Sequence, residues 1–171
     1  MRVAFDSNVV SYFVQANTEH YDPALDPDQA LKVHRVATFR LFLYSGDPSI
    51  EPTVNQELQA IPDQSLRSEH LRWAWYHWRE VLPSWLDGHA VEARAATLAS
   101  YHTGDGNTND CRIVAECEQD HVDVLATFDP RLITNLRPHS SIYIGTPDEC
   151  WTRLGMPHGV PPMMTLQPEH P

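Results

Sequence analysis

The chain has 171 residues, 42% of them hydrophobic and 20% charged, which suits one globular domain with a real core and excludes a disordered or fibrous chain. No apolar run reaches the roughly 18 residues a membrane-spanning helix needs, and Arg2-Val3-Ala4-Phe5-Asp6 lacks a signal-peptide layout, so a cytoplasmic location without membrane contact is expected. A formal net charge of −11 argues against broad adhesion to nucleic acid through basic side chains; it is compatible with carboxylates gathered around divalent cations, with a basic protein partner, or simply with solubility.

Residues 2–6 read as a buried strand ending at a carboxylate, and Ser7 or Asn8 is expected to cap a helix that begins at Val9. Asn17 to Pro27 is polar, contains two prolines and reads as a loop. Asp26-Pro27 then starts a helix whose Val33, Ala37, Leu41 and Tyr44 form one apolar stripe, stopped at Gly46 and Asp47-Pro48. Ser49 to Pro52 is a short strand. Thr53 and Gln56 match a capping box, which puts Glu57 at the end of the first turn of a helix ending before Pro62.

A tryptophan-dense helix is expected over residues 65–82, with Leu71, Trp75, Trp78 and Leu82 on its core face. Arg72, Trp73 and Tyr76 lie off that face, where packing against a neighbouring helix outweighs base stacking. Residues 88–101 form an alanine-rich helix suited to close packing. The polar loop 103–110 leads into a further helix, with Asp110 as its N-cap or in its first turn. A strand over Val122–Thr127 runs into Phe128-Asp129-Pro130, and Ser141–Gly145 is the last strand. Pro147–Leu154 is a short helix, and Gly155–Pro171, with five prolines, reads as an extended tail.

Three cysteines without a paired framework fit a reducing compartment, and Cys111 and Cys117 read as ordinary helix residues. No repeat or long linker divides the chain. The expected fold is α/β: a single domain over 1–146 with a central parallel sheet of four to five strands and helices on both faces, followed by a short helix and Pro-rich tail over 147–171.

Four acidic residues then share one structural address. Asp6 and Asp129 close apolar strands, while Glu57 and Asp110 sit near the starts of helices, and strand ends and helix starts meet on one rim of a parallel sheet. Each has a plain alternative as a turn, a cap or a helix-dipole partner. Together they repel one another unless something positive sits among them, and a hard divalent cation with oxygen ligands is the natural filler.

Asp6-Ser7-Asn8 after the first strand, Asn55-Gln56-Glu57-Leu58, Asn109-Asp110 before Ile113-Val114-Ala115, and Thr127-Phe128-Asp129 resemble the acidic motifs of PIN domains. The resemblance covers about residues 1–145, and the chain length is similar to that of VapC-like toxins of bacterial toxin–antitoxin systems. Asp110 and Asp129 are 19 residues apart, with a helix and a strand between them. The loop at 17–27, the tryptophan-dense helix and the tail depart from that pattern.

The resemblance implies a metal-dependent endoribonuclease that hydrolyses RNA phosphodiesters. Asp6, Asp110 and Asp129 would bind Mg²⁺ or Mn²⁺, Glu57 would bind or orient water, and Asn8 and Thr127 would hold the aspartates by hydrogen bonds. Asp105 is a weaker candidate ligand. The implied partners are RNA, an antitoxin protein and a second copy of the chain. A haloacid-dehalogenase-type phosphatase is disfavoured, because Asn8 stands where its second Asp belongs and Lys32 is the sole lysine. A non-cutting PIN-like binding module and an RNA-processing nuclease that is not a toxin remain as alternatives.

Overall fold

The computed structural model describes residues 2–17, 41–42, 46–102 and 107–156. Asp105, most of the helix expected after Pro27 and the tail from Pro157 lie outside these residues. Leu41 and Phe42, the described part of that helix, are helical and fully buried.

Five short strands form one parallel sheet: β1 (Arg2–Phe5), β2 (Asp47–Ile50), β3 (Arg79–Glu80), β4 (Val124–Ala126) and β5 (Tyr143–Gly145), in the order β3-β2-β1-β4-β5. Seven α-helices are present among the described residues: α1 (Ser7–Asn17), α2 (Pro52–Gln59), α3 (Gln64–His77), α4 (Gly88–Ala99), α5 (Asn107–Gln119), α6 (Pro130–Leu136) and α7 (Pro147–Arg153). The expected α/β architecture is the one observed, and β1 occupies the middle of the sheet. None of these helices is long and apolar enough to cross a membrane.

Side chains alternate across a strand, so neighbours on β1 serve opposite faces. Phe5 enters an aromatic layer, with ring centroids 6.4 Å from Phe42 and 5.9 Å from Trp78. Phe13 on α1 lies 5.7 Å from Trp73 on α3 and joins the same layer. Asp6, one residue beyond Phe5, is close enough to Cys117 of α5 for its charge to help raise that thiol's pKa, behind burial and three other carboxylates. Cys111, Cys117 and Cys150 are buried free thiols, and Cys150 and Trp151 of α7 join the same core.

Several local expectations are corrected. Helix α1 starts at Ser7, so Asp6 rather than Ser7 or Asn8 stands before it, and its carbonyl accepts from the amides of Val9 and Val10. Helix α2 starts two residues earlier than the capping box suggested, because Pro52 takes the first helical position after Glu51. Thr53 instead donates its hydroxyl to Glu116 of α5 at 2.8 Å, and Glu57 falls in the second turn.

The helix expected to reach residue 82 ends at His77. Trp78 turns extended (φ −117°, ψ 146°) and sinks its ring into the aromatic layer, while Arg79 and Glu80 pair with Ser49 and Ile50 as the edge strand β3. Ion pairs of Arg79 with Asp47 (3.1 Å) and Asp120 fasten that edge. The core face of α3 is His70, Trp73, Ala74 and His77; Trp73 is 3% exposed, whereas Trp75 is 75% exposed and Leu82 faces solvent too. Helix α4 packs through Val91, Ala95 and Leu98, and most of its alanines are exposed rather than at a contact. Gly155 closes α7 with φ of +61°, a left-handed conformation suited to glycine, and Met156 is buried, so the chain stays packed there instead of beginning a tail.

Glu51, at the end of β2, is fully buried with Oε1 3.3 Å from the Ser49 hydroxyl. Burial, reinforced by the charges of Asp120 and Glu116 and opposed by Arg79, raises its pKa to about 8. The folded chain therefore binds this proton more tightly than the unfolded chain, and stability is lost by about 1.4 kcal/mol per unit as pH rises from 4.5 to about 8, levelling off above that. Urea unfolding between about pH 5 and 9.5 is expected to show this loss up to about pH 8 in the wild type and not in Glu51→Gln; parallel pH profiles in both would contradict the assignment.

Candidate active site

Outward from β1 the sheet grows through β2 and β3 on one side and through β4 and β5 on the other. The strand order therefore reverses between β1 and β4, and ligands of such sheets bind in the crevice beyond the carboxyl ends of the strands at that point. Asp6 follows β1 there, and Thr127 follows β4.

Asp6 is 5% exposed. Its Oδ1 accepts the Ser7 amide at 2.7 Å, and its Oδ2 accepts Asn8 Nδ2 and Thr127 Oγ1, each at 2.6 Å. Those donors favour the charged form, yet burial outweighs them, and nearby Glu57 and Asp110 add like charge. The pKa of Asp6 is consequently raised from 3.8 to about 6. Three carboxylates from β1, α2 and α5 thus share one electrostatic neighbourhood.

Each member is held by polar contacts. Glu57 Oε2 accepts the Ser7 hydroxyl at 2.7 Å, and its Oε1 accepts Asn109 Nδ2 at 2.9 Å. Asp110, in the first turn of α5, places Oδ2 2.8 Å from Nε2 of the buried His102. Asn8 Oδ1 accepts the Phe128 amide at 3.1 Å, which ties the start of α1 to the segment after β4.

Asp129 is placed differently. Its Oδ1 accepts the amides of Arg131 (2.7 Å) and Leu132 (3.2 Å) as the N-cap of α6. It reaches the others through Thr127, whose Oγ1 accepts the Asp129 amide at 3.0 Å while donating to Asp6. Glu57 and Asp110 thus lie near enough for their charges to act on Asp6, with Ser7 bridging Asp6 and Glu57, whereas Asp129 is tied to Asp6 only by its backbone amide through the Thr127 hydroxyl.

Among the described residues no arginine or lysine is ion-paired with any of the four carboxylates. No three His, Cys, Asp or Glu side chains among those residues converge tightly enough to cage a metal ion. The donor set nonetheless fits a hard divalent cation in chemistry: the acidic ligands are all oxygen, and Asp6, whose pKa is raised first by burial, also feels the like charges of Glu57 and Asp110. Magnesium needs few protein carboxylates because it keeps several waters.

Ser7, Asn109, His102 and Asn135 belong to this network; the sequence marks Ser7 only as a helix cap or motif residue and Asn109 only within a motif, and marks neither His102 nor Asn135. Ser7 could have been assigned to the network from its place between Asp6 and Asn8. His102 carries no local signal; only the fold sets it against Asp110.

Thr127→Val keeps the shape of the side chain and removes the hydroxyl that links Asp6, Asn8 and Asp129. Loss of a hydrogen bond to a charged group is expected to cost about 1.5–3 kcal/mol and to push the Asp6 pKa further above 6. Denaturant unfolding and NMR titration of the Asp6 carboxyl check both; an unchanged titration would show that the hydroxyl does not hold Asp6.

No family model matches the chain, and no curated protein matches it. Among solved structures it is similar in fold to a chain of VapBC2 from Rickettsia felis, determined bound to a DNA fragment from its promoter, with a TM-score of 0.50 at 10% sequence identity over 84% of this chain and 97% of that one. A chain of FitAcB from Neisseria gonorrhoeae aligns with a TM-score of 0.47 at 16% identity, over 85% of this chain and 97% of that one. At 10% identity the VapBC2 likeness speaks for the fold alone.

Proposed function

We propose that the chain is a metal-dependent endoribonuclease and acts as the toxin of a VapC-like toxin–antitoxin pair. The observation that carries this reading is the buried Asp6 carboxylate at the strand-order reversal, bonded by Ser7, Asn8 and Thr127 while the charges of Glu57 and Asp110 act on it. The motif resemblance around the four acidic positions supports it, and the fold likeness to a chain of VapBC2 agrees with it. An antitoxin protein is the proposed partner and RNA the proposed substrate.

Asp6 and Asp110 would hold a Mg²⁺ or Mn²⁺ ion, with Asp129 as a third proposed ligand. When bound, the ion supplies Lewis acidity, an activated water and neutralisation of charge on the phosphate. Glu57, steadied by Ser7 and Asn109, orients the attacking water through its carboxylate. Asn8 and Thr127 fix Asp6 in place, so that no reorganisation is needed when substrate arrives.

Induced expression in a bacterial host tests the toxin reading. Growth arrest by the wild type and normal growth with Asp110→Asn are expected. Normal growth with both, from a purified protein that still cuts RNA, would make it an RNA-processing nuclease instead.

A further inference from the structure

We infer that His102 is a positioning residue for Asp110, fixing which carboxylate oxygen faces the crevice; this rests on the metal-site reading above. His102 follows the C-terminal turn of α4, is 1% exposed and carries two ring contacts. Asn135 Nδ2 of α6 lies 3.1 Å from Nδ1, and Asp110 Oδ2 lies 2.8 Å from Nε2. An amide NH₂ only donates, so Nδ1 accepts, the ring proton sits on Nε2, and it is donated to Asp110.

Two segments, the turn after α4 and the C-terminal end of α6, thereby orient a side chain on α5. Asp110 Oδ2 is committed to the imidazole, which leaves Oδ1 for a cation. Burial keeps His102 from touching substrate, so it acts only through Asp110. Groups that orient metal-binding carboxylates in this way typically change metal affinity about 10–100-fold when removed.

The test compares Mn²⁺ binding by calorimetry in wild type, His102→Met, which has similar bulk and no donor, and His102→Gln, which can restore an N–H donor. His102→Met is expected to weaken Mn²⁺ binding about 10–100-fold, with His102→Gln recovering most of the loss. Should the Met variant fail to fold, Asn135→Ala carries the comparison, with weakened Mn²⁺ binding again expected. In the metal-free wild type, long-range ¹H–¹⁵N correlations are expected to show the His102 proton on Nε2. Wild-type Mn²⁺ affinity in the folded variants, or a proton on Nδ1, would overturn the inference while leaving the nuclease reading intact. A wild type that binds no Mn²⁺ would overturn the metal-site reading and this inference with it, whatever the tautomer.

Discussion

Asp6→Asn is expected to abolish RNA cleavage, by a factor on the order of 10³ or more, while leaving the fold more stable at neutral pH. The loss follows from removing the most buried carboxylate of the proposed metal site, where Lewis-acid catalysis supplies several kcal/mol and each 1.36 kcal/mol is about tenfold in rate. The gain follows from linkage. A pKa raised from 3.8 to about 6 means that the folded state holds the proton more tightly than the unfolded state. The charge on Asp6 is therefore destabilising at pH 7, and that cost disappears as pH falls from about 6 towards 4.

The shift corresponds to roughly 3 kcal/mol at pH 7. Asparagine offers one acceptor where two oxygens accept now, which gives back about 1 kcal/mol. A net gain of about 2 kcal/mol would raise the melting temperature of a chain this long by roughly 4–8 °C. Thermal melts of metal-free protein from pH 4 to 7.5 should show the wild type losing stability with rising pH more steeply than Asp6→Asn. Parallel pH profiles would mean that Asp6 is not under charge stress.

Phe13→Ala carries the largest expected loss of stability, about 3–5 kcal/mol. Phe13 is 1% exposed, and its ring lies 4.7 Å from Phe42, 4.9 Å from Trp78 and 5.7 Å from Trp73. It is the point where α1 meets both α3 and the chain leading into β3. Removing the ring leaves a cavity that rigid aromatic neighbours cannot collapse into, which places the cost in the upper part of that range. Urea unfolding measures it directly. A loss under about 1 kcal/mol would mean that the aromatic layer is not the packed core described here.

The parts legible in the sequence were those with a local cause. A short apolar strand ending in Asp6, and another running into Thr127-Phe128-Asp129, marked β1 and β4 and their shared rim. Asp110 fell in a helical first turn as its surroundings indicated. The parts that were hidden have long-range causes. Strand β3 is two charged residues, Arg79 and Glu80, and it exists because Asp47 and Asp120 hold Arg79 against the sheet.

The face of α3 was misjudged because two of its four inward positions are histidines, His70 and His77, which read as polar until their burial is seen. Thr53 matched a capping pattern, yet Pro52 begins the helix first and frees the threonine for Glu116. Asp129 is near the rim as its strand implied, but its carboxylate also serves as a helix cap, a dual placement that spacing alone does not reveal.

The most direct test is calorimetric titration of Mn²⁺ into purified wild type at pH 7.5, followed by incubation of the same samples with RNA. Saturable binding and metal-dependent internal cleavage, both lost in Asp6→Asn, are predicted. Absence of binding together with intact RNA would contradict a metal-dependent nuclease at this site.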